Sequence, residues 1–213
     1  MLWIIAALAI SYLLGSIPTA YLFGRILKGV DIRKVGSGNV GATNAMRALG
    51  KGPGITVLLL DILKGFIVVV LLGDFFSTRA VLLDSQNLRI IMGLCSICGH
   101  NWTIFLKFQG GKGIATTFGV LLGLALRLPG LNIVIGILVL TWVIIFMVSR
   151  IVSLASIAAA IALPVSVLFF KQPVILTTVS LILCVFVLVR HKSNLLRILQ
   201  GKEPRLYFRK PVS

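Results

Sequence analysis

Seven long apolar runs recur along the chain, and they limit its fold more than any other feature. A helix needs about 20 mainly apolar residues to cross the hydrocarbon core of a bilayer. Runs of nearly that length lie at roughly residues 3–23, 54–73, 88–106, 114–128, 131–149, 151–170 and 173–190. We therefore predict an all-α integral membrane protein of about seven transmembrane helices. Because the spans use most of the chain, residues 1–213 are expected to form a single polytopic membrane domain.

The first run is interpreted as a retained span rather than a cleaved signal peptide. No basic residue precedes it, its apolar stretch is long, and a basic segment follows it. The count of seven includes this run.

The charged residues are mostly basic, with 21 Lys and Arg against 5 Asp and Glu. With the N-terminus outside, 16 of these cations fall in the inner connections, Lys64 lies within a span, and four fall in the outer connections, namely Arg79, Arg89, Arg127 and Lys171. Lys and Arg concentrate in the cytoplasmic loops of membrane proteins. We therefore predict an outside N-terminus and a cytoplasmic C-terminus. Nucleic-acid binding is excluded, because the spans leave no room for a soluble basic surface.

Glycines and small polar residues are concentrated on the inner side between the first two runs. Glycine lets backbone N–H groups approach an anion closely, and an arginine can bind two phosphate oxygens at once. A flexible connection is the alternative interpretation, but it does not account for the several neutral donors. This segment is predicted to bind phosphate through Gly36, Ser37, Gly38, Asn39, Gly41, Thr43, Asn44 and Arg47.

A second glycine segment stands directly before an apolar helix. The N-terminus of a helix carries unpaired N–H groups and a partial positive charge, which favours anions. The strand and the spacing of a Walker A loop are absent. The nearby histidine and asparagine are either packing residues or part of the same site. The candidate residues are His100, Asn101, Gly110, Gly111, Lys112 and Gly113.

The third segment follows the last apolar run. His191 and Asn194 are three positions apart, so they share one side of a helix. The neighbouring cations fit a positive-inside signal, which does not explain His191 or Asn194. Under the predicted topology all three segments lie on the inner side of the membrane.

Asp61 and Lys64 lie three residues apart within the second span. Ionisable groups at that depth are costly unless they are paired or face a polar interior. The simpler interpretation is an ion pair that supports the site, and direct contact with substrate is the alternative.

These segments resemble the three motifs of the bacterial acyl-phosphate-dependent glycerol-3-phosphate acyltransferases, the PlsY family. The resemblance extends over nearly the whole chain and includes Asp61-x-x-Lys64-Gly65. The motifs that carry it are Gly36-Ser37-Gly38-Asn39-Val40-Gly41-Ala42-Thr43-Asn44, Gly99-His100-Asn101-Trp102 with Gly110-Gly111-Lys112-Gly113-Ile114-Ala115-Thr116, and Arg190-His191 with Asn194.

The resemblance implies transfer of a fatty acyl group from acyl phosphate to the sn-1 hydroxyl of glycerol 3-phosphate, which gives lysophosphatidic acid and phosphate. It also implies a bacterial cytoplasmic (inner) membrane protein of seven spans with its active site on the cytoplasmic side. The expected partners are the two substrates, the lipid bilayer and a soluble enzyme that supplies acyl phosphate. No cofactor and no metal are expected.

An acyl phosphate is a mixed anhydride with a good leaving group, so no covalent enzyme intermediate is required. We therefore expect direct attack by the hydroxyl, with rate enhancement from positioning and electrostatics. Ser37, Arg47 and Lys112 would hold phosphates, and His191 with Asn194 would orient glycerol 3-phosphate. The proton goes either to the donor's own phosphate or to His191 as general base.

Two other classes of protein compete with this interpretation. A channel or carrier for phosphorylated anions would need polar residues deep in several spans, and only Asp61 and Lys64 are clearly so placed. A lipid phosphatase would need a histidine nucleophile and paired arginine-rich motifs, which the sequence lacks. The His-x-x-x-x-Asp box of common glycerolipid acyltransferases and a Gly-x-Ser-x-Gly motif are also absent.

Overall fold

The computed structural model describes residues 1–80 and 82–206, and all the regular secondary structure in these ranges is helical. The helices are α1 Leu2–Ser16, α2 Thr19–Lys28, α3 Ala42–Leu49, α4 Lys51–Ile67, α5 Gly73–Ser77, α6 Ser85–Asn101, α7 Ile114–Ala125, α8 Leu131–Ser149, α9 Val152–Phe169, α10 Val174–Arg190 and α11 Lys192–Leu199. A π-helical turn over Val68–Leu72 joins α4 to α5. Residues up to Pro129 form one compact unit and those from Gly130 form a second, and the single domain stays a prediction.

Four helical segments among the described residues are long and apolar enough to cross a membrane: Leu2–Lys28, Lys51–Ser77, Leu131–Ser149 and Val152–Phe169. A fifth is counted when α10 and α11, which are bent by 59°, are taken as one broken span. The all-α fold with membrane-length helices is as predicted. The count of seven spans stays a prediction.

Three of the predicted spans are interrupted or shortened in the structure. The run 3–23 is divided between α1 and α2, because Ile17 precedes Pro18 and adopts an extended ψ of 114°. The run 114–128 contains the 12 residues of α7, which at about 1.5 Å each are shorter than a bilayer core.

The predicted span 88–106 also ends early, since α6 stops at Asn101. The carbonyls of His100 and Asn101 accept the N–H groups of Gly111 and Gly110 at 2.9 and 3.2 Å. The last turn of α6 is therefore hydrogen-bonded to the second glycine segment rather than to a continuing helix.

Helices α4 and α7 pack with their backbones in contact. A Cβ atom at Gly119 would overlap the carbonyl of Ile62, and one at Gly65 would overlap the carbonyl of Thr116. Small residues allow this close approach between membrane helices. The contact sets the distance between the helix that carries the Asp61–Lys64 pair and the helix that begins after Gly113.

The π-helical turn is stabilised by a buried arginine of α6. Arg89 donates to the carbonyl of Val69 at 2.7 Å and to Asp74 at 2.7 Å, and Arg127 donates to both oxygens of Asp74 at 2.8 and 3.0 Å. Two of the cations predicted to lie on the outer side therefore share one carboxylate.

In the second unit, the chain beyond α11 returns to the α8–α9 connection. The N–H of Leu206 donates to the carbonyl of Arg150 at 2.8 Å. Glu203 is only 8% exposed, and its carboxylate accepts a hydrogen bond from the hydroxyl of Ser153, in the first turn of α9, at 2.7 Å.

Candidate active site

The first glycine segment is held in shape by one side chain, Asn44 in the first turn of α3. Asn44 is 1% exposed. Its Oδ1 accepts the N–H of Ser37 at 2.9 Å, and its Nδ2 donates to the carbonyls of Ile32 and Val35 at 3.0 Å each. Its amide therefore organises the segment, and contact between Asn44 and phosphate stays a prediction.

Two glycines of this segment have a backbone conformation that other residues rarely adopt. Gly36 and Gly38 have φ of +61° and +71°. A Cβ at Gly36 would overlap Asn44 Oδ1, and one at Gly38 would lie 2.9 Å from the carbonyl of Arg33. The segment therefore needs glycine for its shape as well as for access to a ligand.

The other predicted residues of this segment lie around this loop. Ser37 and Arg47 are exposed, the latter in the last turn of α3. Asn39 and Thr43 are half-buried and Gly41 is buried. The exposed pair can reach a ligand that approaches from solvent.

Just before this segment, Asp31 binds Arg33 through both carboxylate oxygens, at 3.0 Å to Nε and 2.7 Å to Nη2. The hydrogen bonds from the Arg33 side chain lower the pKa of Asp31 to about 2. The carboxylate also accepts the N–H of Arg33 at 3.0 Å and so caps the short turn Ile32–Lys34.

The second glycine segment folds back onto the end of α6 and then begins α7. Gly113 is the N-cap of α7 with φ of +79°, and a Cβ there would lie 2.8 Å from Asn101 Oδ1. Asn101 Oδ1 is buried and has no hydrogen-bond partner among the described residues. Lys112 is half-buried beside this N-terminus, where both the helix and its ammonium favour an anion.

The first two segments meet at Gly111. A Cβ at Gly111 would overlap His100 Nε2 and would lie 2.8 Å from the carbonyl of Val40, which belongs to the first segment. A Cβ at Gly110 would overlap the carbonyl of His100. The structure therefore brings the first and second glycine segments together within the first unit, and it requires glycine at the point of contact.

Asp61 and Lys64 form an ion pair, with Lys64 Nζ 2.8 Å from Asp61 Oδ1. Their supporting role stays a prediction. The pair is buried and has further partners: Thr19 donates to Asp61 at 2.7 Å, and Lys64 Nζ lies 2.9 Å from His100 Nδ1 and 3.2 Å from the carbonyl of Ile17.

The third segment lies in the second unit at the junction of α10 and α11. His191 is 3% exposed and its Nδ1 lies 2.9 Å from the carbonyl of Val187. A carbonyl only accepts, so Nδ1 carries the hydrogen, and Nε2 is the proton-accepting nitrogen when the ring is neutral.

The sequence reasoning missed Glu203, which binds the predicted residue Asn194. Its carboxylate accepts Asn194 Nδ2 at 2.5 Å, Ser153 Oγ at 2.7 Å and Arg197 Nε at 2.7 Å. Burial alone would raise the pKa of Glu203, but these hydrogen bonds outweigh it, so its pKa lies below the ordinary value. Glu203 is the single acid in a basic tail, and this was the available signal.

These arrangements can bind and orient phosphate groups. The first unit combines backbone N–H groups, a hydroxyl and two cations, and the second presents a histidine and an oriented amide. That all three segments share one pocket stays a prediction.

Comparison with known proteins assigns the family. The family model for glycerol-3-phosphate acyltransferase matches residues 5–201. The glycerol-3-phosphate acyltransferase of Prochlorococcus marinus is 44% identical over 204 residues, which cover 93% of this chain and 92% of that protein. Glycerol-3-phosphate acyltransferase 2 of Moorella thermoacetica is 43% identical over 205 residues, covering 96% and 98%.

Two solved structures are also similar. Both are crystal structures of PlsY (YgiH), an integral membrane glycerol 3-phosphate acyltransferase. Its glycerol 3-phosphate form has a TM-score of 0.83 and 38% identity over 96% of both chains. Its lysophosphatidic acid form has a TM-score of 0.80 and 37% identity, over 96% of this chain and 95% of that one.

The fold and its glycine segments thus define an integral membrane protein of the acyltransferase class. More particularly, the chain belongs to the glycerol-3-phosphate acyltransferase family, which confirms the assignment based on its three motifs.

Proposed function

We propose that this chain transfers a fatty acyl group from an acyl phosphate to the sn-1 hydroxyl of glycerol 3-phosphate. The bond between the acyl carbon and the phosphate oxygen breaks, an ester forms, and the products are lysophosphatidic acid and phosphate. The observation that carries this proposal is the contact at Gly111 of the two glycine segments that are predicted to bind anions, between His100 and the carbonyl of Val40. Two phosphate-bearing substrates require such paired anion sites close together.

In the proposed mechanism the hydroxyl attacks the acyl carbon directly. Ser37, Arg47 and Lys112 hold phosphates and offset their mutual repulsion. The mixed anhydride brings its own leaving group, so no enzyme nucleophile is needed. The rate enhancement comes from holding the reactants in contact and from stabilising the developing oxyanion.

Glycerol 3-phosphate is oriented by His191 and Asn194. The bond from Asn194 Nδ2 to Glu203 turns the amide so that its oxygen points away from the carboxylate. The hydrogen on His191 Nδ1 makes Nε2 the basic nitrogen of the neutral ring. The proton of the attacking hydroxyl goes either to the phosphate of the donor or to this nitrogen.

We also propose the membrane arrangement that the charge distribution favours. The chain would cross the bacterial inner membrane seven times, with the N-terminus outside and the C-terminus and active site in the cytoplasm. A cytoplasmic site suits a water-soluble acceptor substrate and a soluble enzyme that delivers acyl phosphate.

The reaction is tested with purified protein, palmitoyl phosphate and labelled glycerol 3-phosphate. We expect labelled lysophosphatidic acid with the label confined to the 1-acyl isomer, and none with acyl-CoA or acyl carrier protein as donor. Lys112→Ala should lose most activity. Lys107→Ala removes an exposed cation from the same connection and should match the wild type.

Two results would contradict the proposal. One is a Lys112→Ala variant with wild-type kinetics. The other is an acyl-enzyme that survives acid quenching when glycerol 3-phosphate is omitted, since direct attack forms none. Labelling of single cysteines at positions 37, 112 and 194 tests the topology, and all three should react from the cytoplasmic side.

A further inference from the structure

A buried group of three ionisable side chains lies behind the second glycine segment. Asp61 and Lys64 belong to α4 and His100 to the last turn of α6, and they are 1%, 5% and 8% exposed. Charged groups inside a membrane bundle are costly. Apolar side chains of similar volume would stabilise the bundle at least as well at these positions. Stability alone therefore does not explain the group.

The ammonium of Lys64 is fully used in hydrogen bonding. It has three hydrogens, and three acceptors lie within range: Asp61 Oδ1 at 2.8 Å, His100 Nδ1 at 2.9 Å and the carbonyl of Ile17 at 3.2 Å. The carbonyl of Ile17 is available because the helix is interrupted at Pro18. Lys64 thus connects the break between α1 and α2, its own helix and α6.

These distances also assign the proton on His100. The carboxylate of Asp61 lies 2.8 Å from Lys64 Nζ but 3.6 Å from His100 Nδ1, so the charge partner of Asp61 is the lysine. An ammonium has no lone pair, so His100 Nδ1 must accept from it. The hydrogen of the neutral ring is then on Nε2, the edge that faces Gly111.

The Nε2 edge of the His100 ring lies against Gly111 and leaves no space there for a side chain. Any Cβ at Gly111 would overlap Nε2, and the N–H of Gly111 donates to the carbonyl of His100 at 2.9 Å. Gly111 also packs on Val40 of the first segment. A displaced His100 ring would therefore shift Gly111, and with it Lys112 and the N-terminus of α7.

We propose that Asp61, Lys64 and His100 act in series as positioning residues that hold the Gly110–Gly113 segment in its phosphate-binding shape. Lys64 fixes the ring of His100, Asp61 fixes Lys64, and the ring fixes Gly111. This inference rests on the proposed function, in which Lys112 binds a substrate phosphate. The three side chains act through the segment rather than by touching substrate.

The experiment compares His100→Ala, the charge-free pair Asp61→Asn with Lys64→Met, and the triple variant. The pair is chosen because Lys64→Met alone would leave Asp61 buried without a counter-charge and could prevent folding. KM and kcat are measured for glycerol 3-phosphate and for palmitoyl phosphate, and thermal unfolding is measured in parallel. Asp74→Asn is the control, since it removes the carboxylate that pairs with Arg89 and Arg127 in the same unit, and neither arginine belongs to a glycine segment.

We expect His100→Ala and the paired variant each to raise the KM of at least one substrate about tenfold, with a smaller change in kcat. Residues that act in series are not additive. The triple variant should therefore show nearly the same KM as His100→Ala. Asp74→Asn should lower the melting temperature without changing either KM.

Three outcomes would overturn the inference. Multiplied KM effects in the triple variant would mean that Lys64 and His100 act independently. Unchanged KM values with lower melting temperatures would leave a purely structural role. Full recovery in His100→Gln, whose amide nitrogen reaches the Nε2 position, would mean direct contact between His100 and substrate. A wild-type protein inactive with acyl phosphate would instead contradict the proposed function, so the two failures are distinct.

Discussion

Replacement of Asn44 by aspartate tests whether one amide maintains the first glycine segment. Asn44→Asp keeps the size of the side chain and the acceptor for Ser37. It replaces the Nδ2 donor with an oxygen that faces the carbonyls of Ile32 and Val35. Two donated hydrogen bonds are lost at a site that is 1% exposed, and acceptors are left opposite acceptors.

The expected cost follows from those two bonds. An unsatisfied buried group costs about 1–3 kcal/mol. The third bond, from the N–H of Ser37, keeps its acceptor and adds no cost. The two lost bonds together should lower the free energy of unfolding by about 2–4 kcal/mol, which is less than twice the full cost because Val35 is only half-buried. A chain of 213 residues would then melt about 4–16 °C lower.

Thermal unfolding in detergent measures this shift, and steady-state kinetics give the KM of each substrate. Asn132→Asp is the matched control, because it makes the same chemical change at an exposed position in the first turn of α8, where an acid is tolerated. The reasoning would be refuted if Asn44→Asp melted together with this control while both KM values stayed at the wild-type level.

Three further predictions concern other parts of the chain. Glu203→Gln should destabilise the protein by about 1–3 kcal/mol, because the amide cannot accept from three donors. Folding lowers the pKa of Glu203, so its carboxylate should stabilise the protein above the unfolded pKa of 4.5 and should lose this contribution as the pH falls through the lower folded pKa, which thermal unfolding at several pH values measures. Gly119→Ala should cost about 1–3 kcal/mol through overlap with Ile62, whereas Gly136→Ala, which meets nothing, should not destabilise a thermal transition. His191→Gln should remove the acidic limb of the pH–rate profile if the imidazole is the general base, and a retained limb assigns the proton to the phosphate of the donor.

The helices themselves were largely predictable, because apolar run length is a local property. The predicted run 131–149 has the same bounds as α8, and the run 173–190 differs from α10 by one residue. The break between α1 and α2 also has a local cause, because Pro18 disfavours a helical conformation at Ile17, but the apolar run continues through both residues and was predicted as one span. The early end of α6 coincides with Gly99-His100-Asn101, which interrupts the apolar run, but it also depends on hydrogen bonds from Gly110 and Gly111 that no local pattern indicates.

The candidate residues were found by type and spacing, but their roles depended on partners far along the chain. Asn44 was predicted to bind phosphate, which stays a prediction, and the structure adds that its amide contacts Ser37, Ile32 and Val35. Glu203 was not among the predicted site residues, although it is the single acid in a basic tail. Its contact with Ser153 spans 50 positions, which no local pattern indicates.

The sequence alone therefore determined the membrane environment, the helical class, the three motifs and the family, because each of these is expressed in composition or in short spacings. Only the tertiary structure decided that Lys64 meets His100, that His100 meets Gly111, and that Glu203 orients Asn194. The reason is physical. A buried charge or amide takes whichever partners the packed helices bring within hydrogen-bond distance, and that choice is made by close contacts between backbones such as Gly119 on Ile62.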